Sequence, residues 1–427
     1  MEYQSFVNEA LEKFESLPEE TDELYKRYFV AMPLKEMAKK ASDQKPSSRP
    51  DKSIRENSES LRRKFDAILW SGGEEVSAAT NFVSIKPIES IVTEEMMTSS
   101  GDDKIAAFLN AYSKKVVRID VPSGADAKVN LMFVNTESPL PVQIIVKVGE
   151  NAKLSLFEYF ASAAAEKSLM GSLHEVTIGK YANAEINLVH NEDANTYVIG
   201  WSKAKVHERG NLKMNYIYNG GTFTRARNRV DVAGLEGNGE VNELIVSAGE
   251  QKMDVASNIT NSAQSSHAVL ESKAVLMDKS VCVLKGYASI TEKAAQSRSF
   301  VNERGILLDK TAHIDSIPSM SIGNSDVKAT HSSATAPIDD ESVFYLMSRG
   351  ASEAEAKKMI VSGFITGMIG KIDDVIAREI VASMINEKIT TKGYGFIPKI
   401  TTESMWLAGS VQKSSSIFKG HYKYRGE

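Results

Sequence analysis

Hydrophobic and polar residues alternate one by one through the central part of the chain, from about residue 115 onward. In the segment Val116–Val121, for example, Val117, Ile119 and Val121 share one face of an extended backbone. This period of two, combined with many β-branched residues, predicts β-strands. Helical patterns return near residue 340. So long a run of strands without alternating helices excludes a doubly wound α/β sheet.

The strand region also contains a degenerate repeat. Small or turn-forming residues precede an alternating strand at Gly149, Gly179, Gly210 and Gly237, about 27–32 residues apart. Near-periodic strands with turn residues are typical of a β-solenoid, in which each coil buries its inner face against the next. A sandwich of antiparallel strands remains open, because alternation alone does not separate the two folds.

Both ends of the chain have helical patterns. Near the N-terminus, Phe6, Ala10 and Phe14 recur at helical spacing, and a charged, turn-rich stretch within residues 35–64 predicts a solvated linker. Near the C-terminus, Ser352 and Glu355 form a capping box, which marks a helix start. We therefore expect three regions: a helical N-terminal region with a polar linker over 1–98, a β core over 99–336 and a helical C-terminal region over 337–427.

Composition narrows the function classes. The 427 residues carry a formal net charge of -5, whereas a nucleic-acid binder would usually show a basic field. A single cysteine, Cys282, excludes an intrachain disulfide and a Cys-rich metal site. The N-terminus has no secretory signal pattern, and no apolar run is long enough to cross a bilayer. We expect a cytoplasmic protein that binds neither nucleic acid nor membrane.

Motifs of catalysis are missing from the sequence. It contains no P-loop, no Gly-x-Ser-x-Gly elbow and no His-Glu-x-x-His zinc motif. The seven histidines are dispersed, and we expect structural roles for His190, His207 and a His174–Glu175 pair. Cys282 lies in a strand pattern, so we expect a buried and unreactive thiol. We assign no catalytic residue and do not expect an enzyme.

Several phrases between Val269 and Phe364 resemble the SufB/SufD family of iron–sulfur cluster assembly proteins, in order and with similar spacing. The most specific is the Phe-Tyr-Leu-x-Ser-Arg-Gly phrase that begins at Phe344, followed by a helix with Gly363-Phe364. The other matching phrases are Lys273–Ser280, Lys285–Ile290, Ala294–Ser297, Ile306–Pro318 and Asp326–Thr335. Weaker similarity covers Arg118–Glu158.

The resemblance implies a right-handed parallel β-helix core between helical N- and C-terminal parts. It also implies a non-catalytic scaffold: a SufB-type and a SufD-type subunit dimerise, and each binds a copy of the SufC ATPase. In the family the C-terminal helices contact the ATPase, which corresponds here to about Asp340–Asn386. The candidate interface residues are Phe344, Tyr345, Arg349, Gly350 and Phe364.

Comparison with the family's motif assigns one candidate ligand. His331 matches the family histidine that is a cluster ligand at the subunit interface, so the resemblance implies metal binding there and a transient iron–sulfur cluster, but no tightly bound cofactor. The cysteine two residues earlier is replaced by Ala329, and the B-type glutamate after the histidine by Ser332. The B-type cysteine position near Leu308–Ala312 also lacks cysteine. The chain therefore resembles the D-type subunit. A purely structural His331 at the dimer seam remains open.

Two alternatives remain open. The first is a homodimer that works with the ATPase without a SufB-type paralogue. The second is a β-solenoid enzyme that acts on polysaccharides, which would need a close carboxylate pair. Asp231, Glu236 and Glu240 are scattered acids that do not form such a pair in the sequence pattern.

Overall fold

The structure, a computed structural model, describes residues 3–19, 32–42, 65–70, 73–76, 81–90, 98, 100–135, 139–162, 164 and 166–391. The helices in these ranges are α1 Tyr3–Ser16, α2 Leu34–Ser42, α3 Lys104–Tyr112, α4 Asp340–Ser348, α5 Glu353–Ile369 and α6 Val375–Thr391. The first strands are β1 Ala67–Trp70, β2 Gly73–Val76, β3 Val83–Pro87, β4 Lys115–Val121, β5 Asp126–Asn135, β6 Leu140–Val148, β7 Lys153–Ser162, β8 Ser168–Ile178, β9 Asn183–Asn191 and β10 Thr196–Val206. The later strands are β11 Asn211–Tyr218, β12 Phe223–Val232, β13 Asn238–Ser247, β14 Lys252–Asn261, β15 His267–Leu276, β16 Val281–Ile290, β17 Arg298–Leu307, β18 His313–Ser316, β19 Ser319–Ile322 and β20 Lys328–Pro337.

Strands β4 to β20 wind into a parallel β-solenoid of about seven turns. Successive strands alternate between two sheets. Sheet A contains β5, β7, β9, β11, β13, β15, β17 and β20. Sheet B contains β4, β6, β8, β10, β12, β14 and β16, and β18 and β19 lie end to end along the last edge, each paired with one half of β16. The predicted solenoid is confirmed, and the antiparallel sandwich is wrong because every pairing between these coils is parallel.

The interior of the solenoid is the main hydrophobic core. On β4, Val117, Ile119 and Val121 point inward and are at most 3% exposed, as the period-two pattern predicts. The predicted burial of Cys282 is also confirmed, since its side chain lies in this core. Burial raises the pKa of the Cys282 thiol well above its usual range, which keeps it in the unreactive form.

A ladder of left-handed residues runs along the turns from sheet B to sheet A. The backbone φ angle is positive at Gly124, Asn151, Tyr181, Arg209, Glu236, Ser265 and Gln296, one residue in each turn. The N–H of each of these residues donates to a carbonyl in the next turn of the stack; the bond from Asn151 to Lys180, for example, is 2.9 Å long. This ladder is the structural origin of the repeat that the sequence shows.

The two ends of the solenoid differ among the described residues. At the first coil, β1 adds to β5 and pairs with β2, while β3 adds antiparallel to β4, so short strands cover both edges. At the last coil, β20 pairs with β17 on one side and with no other described strand.

Helices α1 and α3 contact each other through Phe14 and Phe108, in one hydrophobic cluster with outward residues of sheet B such as Trp201.

Residues 1–98 therefore contain strands as well as the expected helices. Strands β1 to β3 complete the first coil, because an open sheet edge needs hydrogen-bond partners. Of the expected polar linker within 35–64, residues up to Ser42 belong to helix α2, and residues 43–64 lie outside the described part.

The chain divides into two compact units, Met1–Pro337 and Ile338–Glu427. In the second unit, α4 contacts α5 and α5 contacts α6. The predicted capping box is confirmed: the Ser352 hydroxyl accepts from the Glu355 N–H, and the Glu355 carboxylate accepts from the Ser352 N–H at 2.8 Å. Asp374 accepts from the Ile376 N–H at 2.8 Å, just before α6 begins.

Candidate functional site

The last coil of the solenoid carries His331 at the middle of β20. Its imidazole is exposed, and the residue pairs in register with Val301 of β17. Because Val301 belongs to the interior core, His331 lies on the face of β20 that continues the solenoid interior. Every residue of β20 is exposed or half-buried. The structure thus places His331 on an edge strand at the end of the solenoid, with no other described strand beside it.

The positions aligned with family cysteines lie near this end. Ala329 precedes His331 by two residues on the same face of β20, Thr311 is exposed in the turn before β18, and Ala312 is buried. Ser332 faces the other way and donates a hydrogen bond to the Asn302 side chain at 2.8 Å. Among the described residues, no three His, Cys, Asp or Glu side chains converge into a set that could hold a metal ion.

Polar side chains form a column inside the solenoid, which we call the interior column. On sheet A it follows the register Tyr216, Glu243, Ser272, Glu303 and Ser333, one residue per coil. Its other members are Glu158, His174, Ser202, Asn228, Ser257 and Ser316, and Gly286 holds the corresponding position on β16 without a side chain. All lie on inward faces, and the column reaches the surface at Ser333, which is exposed.

Glu243 is the best-bonded acid of the interior column. Its carboxyl accepts hydrogen bonds from Asn228 at 3.1 Å, from Ser272 at 2.6 Å and from Ser257. Burial nevertheless raises the pKa of Glu243, because these three donors compensate only part of the solvation that the carboxylate loses.

Glu303 lies nearer the end of the column and has weaker support. The Ser316 hydroxyl donates to its Oε2 atom, and the backbone N–H groups of Gly286 and Ile317 lie near the carboxyl without forming a well-aligned hydrogen bond to Oε1. Burial raises the pKa of Glu303 to about 7; Glu243 reinforces this shift, whereas the Ser316 hydroxyl and the backbone N–H groups of Gly286 and Ile317 oppose it. This carboxyl can therefore change its protonation state near neutral pH.

The predicted His174–Glu175 pair is wrong. Neighbouring residues of a strand face opposite sides, so His174 points inward and its Nε2 lies 2.7 Å from Glu158 Oε2, whereas Glu175 points outward and accepts from the Thr98 N–H. His190 pairs with Glu192 at 2.8 Å inside the solenoid, as expected of a structural histidine. Burial lowers the pKa of His207.

A buried carboxylate on the outer face of sheet B gathers three cations. Asp254 lies 3.4 Å from Arg225, 3.1 Å from Arg227 and 3.0 Å from Lys285. Burial alone would raise the pKa of Asp254, but the three cations outweigh it and hold the pKa at about 2. The chain uses this cluster to join β12, β14 and β16 across the sheet.

The candidate ATPase-interface residues lie in the second unit, on and after α4. Phe344 and Tyr345 are 73% and 57% exposed, while Val343 between them and the helix start is buried. The Arg349 guanidinium lies 5.3 Å from the centre of the Tyr345 ring, so these two residues form one surface feature. Gly350 ends this segment with a φ of +98°, a conformation that favours glycine. Phe364 lies apart from them, half-buried on α5.

The acids considered for a polysaccharide enzyme serve other purposes. Glu236 forms an ion pair with Arg209 at 2.8 Å in the turn ladder, and Asp231 accepts from the Ser262 hydroxyl. Asp231 lies on sheet B and Glu240 on sheet A, so they do not form a close pair. Nothing in this arrangement supports glycoside hydrolysis.

Reasoning from the sequence missed the interior column and the Asp254 cluster. The available signal was weak: a polar residue recurs in the middle of successive strands at the spacing of the coils, as Glu243, Ser272 and Glu303 do.

None of the described helices is long and apolar enough to cross a bilayer.

Comparison with known proteins identifies the family. The model of the SufBD core domain of the SUF system for FeS cluster assembly matches residues 131–364, more than half of the chain. An iron–sulfur cluster assembly SufBD family protein of Staphylococcus saprophyticus is 24% identical over 316 residues, which are 74% of this chain and 63% of that protein. A protein of the same description from Staphylococcus epidermidis is 25% identical over 275 residues, 62% of this chain and 58% of the relative.

These alignments span less than two thirds of the length of the curated relatives. The matched segment runs from β5 to α5 and includes His331, the interior column and the exposed residues of α4. The chain therefore belongs to the SufBD family of iron–sulfur cluster assembly proteins.

Proposed function

We propose that this chain is a non-catalytic scaffold subunit of a SUF-type iron–sulfur cluster assembly complex, equivalent to the SufD-type subunit. Family membership supports the assembly role. The cysteine content supports the D type, because the sole thiol, Cys282, is buried in the solenoid core. Cluster chemistry needs an accessible thiolate. In this proposal a SufB-type paralogue provides it.

The observation that carries the proposal is the outer edge of β20, which no described strand covers. A parallel edge strand with unpaired backbone groups is a ready template for another chain. The strand Lys328–Pro337 consists largely of small side chains, from Ala329 to Ala336, which permit close approach. Among the described strands at the first coil, the outer edges belong to β2 and β3, which have only four and five residues and give a shorter template than β20. The partner at this edge is the SufB-type paralogue, with a second copy of this chain as the alternative.

His331 would then lie at the seam between the two subunits. Its exposed imidazole can donate a lone pair to iron, and the partner would supply thiolates, so the nascent cluster is cargo shared by two chains. The seam would also shield the cluster from solvent. This role needs no further ligand from this chain.

The second unit would dock the SufC-type ATPase. Phe344 and Tyr345 expose aromatic surface that a monomer would normally bury, and aromatic side chains commonly anchor protein interfaces. Met347, which is 42% exposed on the same helix, extends this surface. Arg349, Gly350 and Phe364 remain candidates for the same contact.

Co-expression of the chain with a B-type paralogue and the ATPase tests both contacts. Purification through a tag on this chain should recover both partners. Changing Phe344 and Tyr345 together to Ser should remove the ATPase and retain the paralogue, whereas Ala334→Lys on β20 should do the reverse. Asp126→Lys, an exposed position on β5 at the other end of sheet A, is the matched control.

The outcomes separate the alternatives. If the wild-type chain recovers neither the paralogue nor the ATPase, the scaffold proposal is wrong. Light scattering that shows two copies of this chain, with or without the paralogue, would favour the homodimeric scaffold. Loss of the paralogue from the Asp126→Lys control would show that the effect of Ala334→Lys is not specific to the edge of β20.

A further inference from the structure

The interior column meets the solvent at the last coil through a short hydrogen-bonded path. Ser316 donates to the Glu303 carboxyl and forms a 2.6 Å hydrogen bond with the Ser333 hydroxyl. Glu303 is 1% exposed, whereas Ser333 is exposed. A buried carboxyl is therefore separated from solvent by two hydroxyl groups.

Few charged groups face Glu303 from the strands around it. From β15 the neighbour is Ser272, from β16 Gly286 and the neutral Cys282 thiol, and from β18 Ser316. The neighbours of Glu303 from β20 are Ser333 and His331, which lies two residues earlier on the same face. Glu243 lies further along the column and opposes a negative charge on Glu303. No described Lys or Arg faces Glu303 from inside the solenoid.

The coil that covers Glu303 is held more weakly than the coils before it. Sheet B ends in two four-residue strands, β18 and β19, in place of one strand of about ten residues. On sheet A, β20 is bonded to β17 alone among the described strands, and most of its residues are exposed. Local opening begins where buried contacts are few and backbone hydrogen bonds are exposed.

We propose that Glu303 makes the last coil, residues 313–337, a proton-responsive element that opens locally when this carboxyl loses its proton to solvent. The rest of the solenoid stays wound, because each coil depends mainly on its neighbours. This inference is independent of the proposed scaffold role, although it concerns the same edge.

The driving force is the cost of an unpaired charge in the interior. The Ser316 hydroxyl and the nearby N–H groups of Gly286 and Ile317 support the carboxylate only in part, and no described cation faces it, so it gains water only if β18 to β20 move away. The pKa of about 7 supports this step, since an unfolded Glu titrates near 4.3. The folded coil therefore binds the proton more tightly, so its protection is complete in acid and declines as the pH rises towards 7.

Amide hydrogen exchange of the full chain tests the proposal. Between pH 5 and pH 8, after correction for intrinsic exchange, protection of residues 313–337 should fall by roughly tenfold or more. Residues 196–232, in β10 to β12, should keep the same protection over this pH range. Glu303→Gln should abolish the decline, whereas Asp315→Asn, which removes a carboxylate from the outer face of β18, should leave it intact.

A second pair of variants probes the path to solvent. Ser333→Ala removes the terminal hydroxyl and should shift the midpoint of the decline, whereas Ser332→Ala, on the opposite face of β20, should not. If Glu303→Gln does not fold, infrared detection of carboxylic-acid absorption lost over the same pH range in the wild-type chain replaces it. An unchanged last coil, a decline that persists in Glu303→Gln, or equal loss along the whole solenoid would overturn the proposal.

Discussion

Gly286 lies against Glu303 inside the solenoid. A Cβ atom added at Gly286 would come within 2.5 Å of Glu303 Oε1 and within 2.9 Å of Val301 Cγ1. The two residues belong to β16 and β17, so the missing side chain of one makes room for the carboxyl of the other.

Replacement of Gly286 by Ala should destabilise the protein by about 1–3 kcal/mol, because an added methyl group overpacks a closed interior. The measurement is the free energy of unfolding in urea. Gly200→Ala is the matched control, since its nearest neighbour on another strand would lie 3.8 Å from the new Cβ. Adding Glu303→Ala should recover part of the loss; no recovery would mean that the clash involves the aliphatic neighbours instead.

Replacement of Asp254 by Asn should cost about 3–5 kcal/mol, because three buried cations lose their shared carboxylate. Asp120→Asn breaks an exposed pair with Arg118 and should cost at most about 1 kcal/mol. Denaturation midpoints compare the two variants. Combining Asp254→Asn with Lys285→Met should restore part of the stability. Equal effects of Asp254→Asn and Asp120→Asn would contradict a structural role for the cluster.

The Asp254 cluster also predicts an acid limit of stability. Its pKa of about 2 lies below the value of about 3.9 for an unfolded Asp, so its contribution is complete above pH 4 and disappears as the pH falls through 2. The loss should approach about 2.5 kcal/mol. Unfolding series between pH 2 and 5 should show this slope in the wild-type chain and lack it in Asp254→Asn. Parallel slopes would assign the acid limit to other groups.

Replacement of His331 by Ala should lower the iron and acid-labile sulfide retained by the reconstituted complex, while the unfolding temperature stays the same because the side chain is exposed. His313→Ala is the control, since the His313 side chain is 63% exposed on β18 of the same coil and pairs with Asp315. Unchanged cluster yield with intact assembly would make His331 merely structural. Loss of assembly would assign it to the seam.

Much of the fold could be predicted because the solenoid repeats one simple constraint. Each strand has an inner and an outer face, so alternation from residue 115 predicts the strands. The phrases at Gly149, Gly179, Gly210 and Gly237 fall in the turns that contain the left-handed residues, and they predict the stacking. Parallel pairing could not be predicted from alternation, because it depends on which strands lie side by side.

Candidate chemistry was less accessible to sequence reasoning because its residues meet across coils. Glu158 and His174 are 16 residues apart in the chain and pair inside the solenoid, whereas the adjacent Glu175 faces outward. The partners of Asp254 come from β12 and β16, about one coil away in each direction. Such relationships require the register between strands. The exposure of Phe344 similarly depends on how α4 packs, which a helical pattern alone does not specify.

The ladder of left-handed residues has a consequence for how the length of this chain can change during evolution. Every ladder bond joins one turn to the same place in the next, at intervals of 27–31 residues. Insertion of one or three residues within a strand would move inward side chains to the outside and break the register with both neighbours. Duplication or deletion of a complete coil would preserve the inward orientation of the side chains and the register between the coils. Related solenoids should therefore differ in length by whole coils, or at the loops between them.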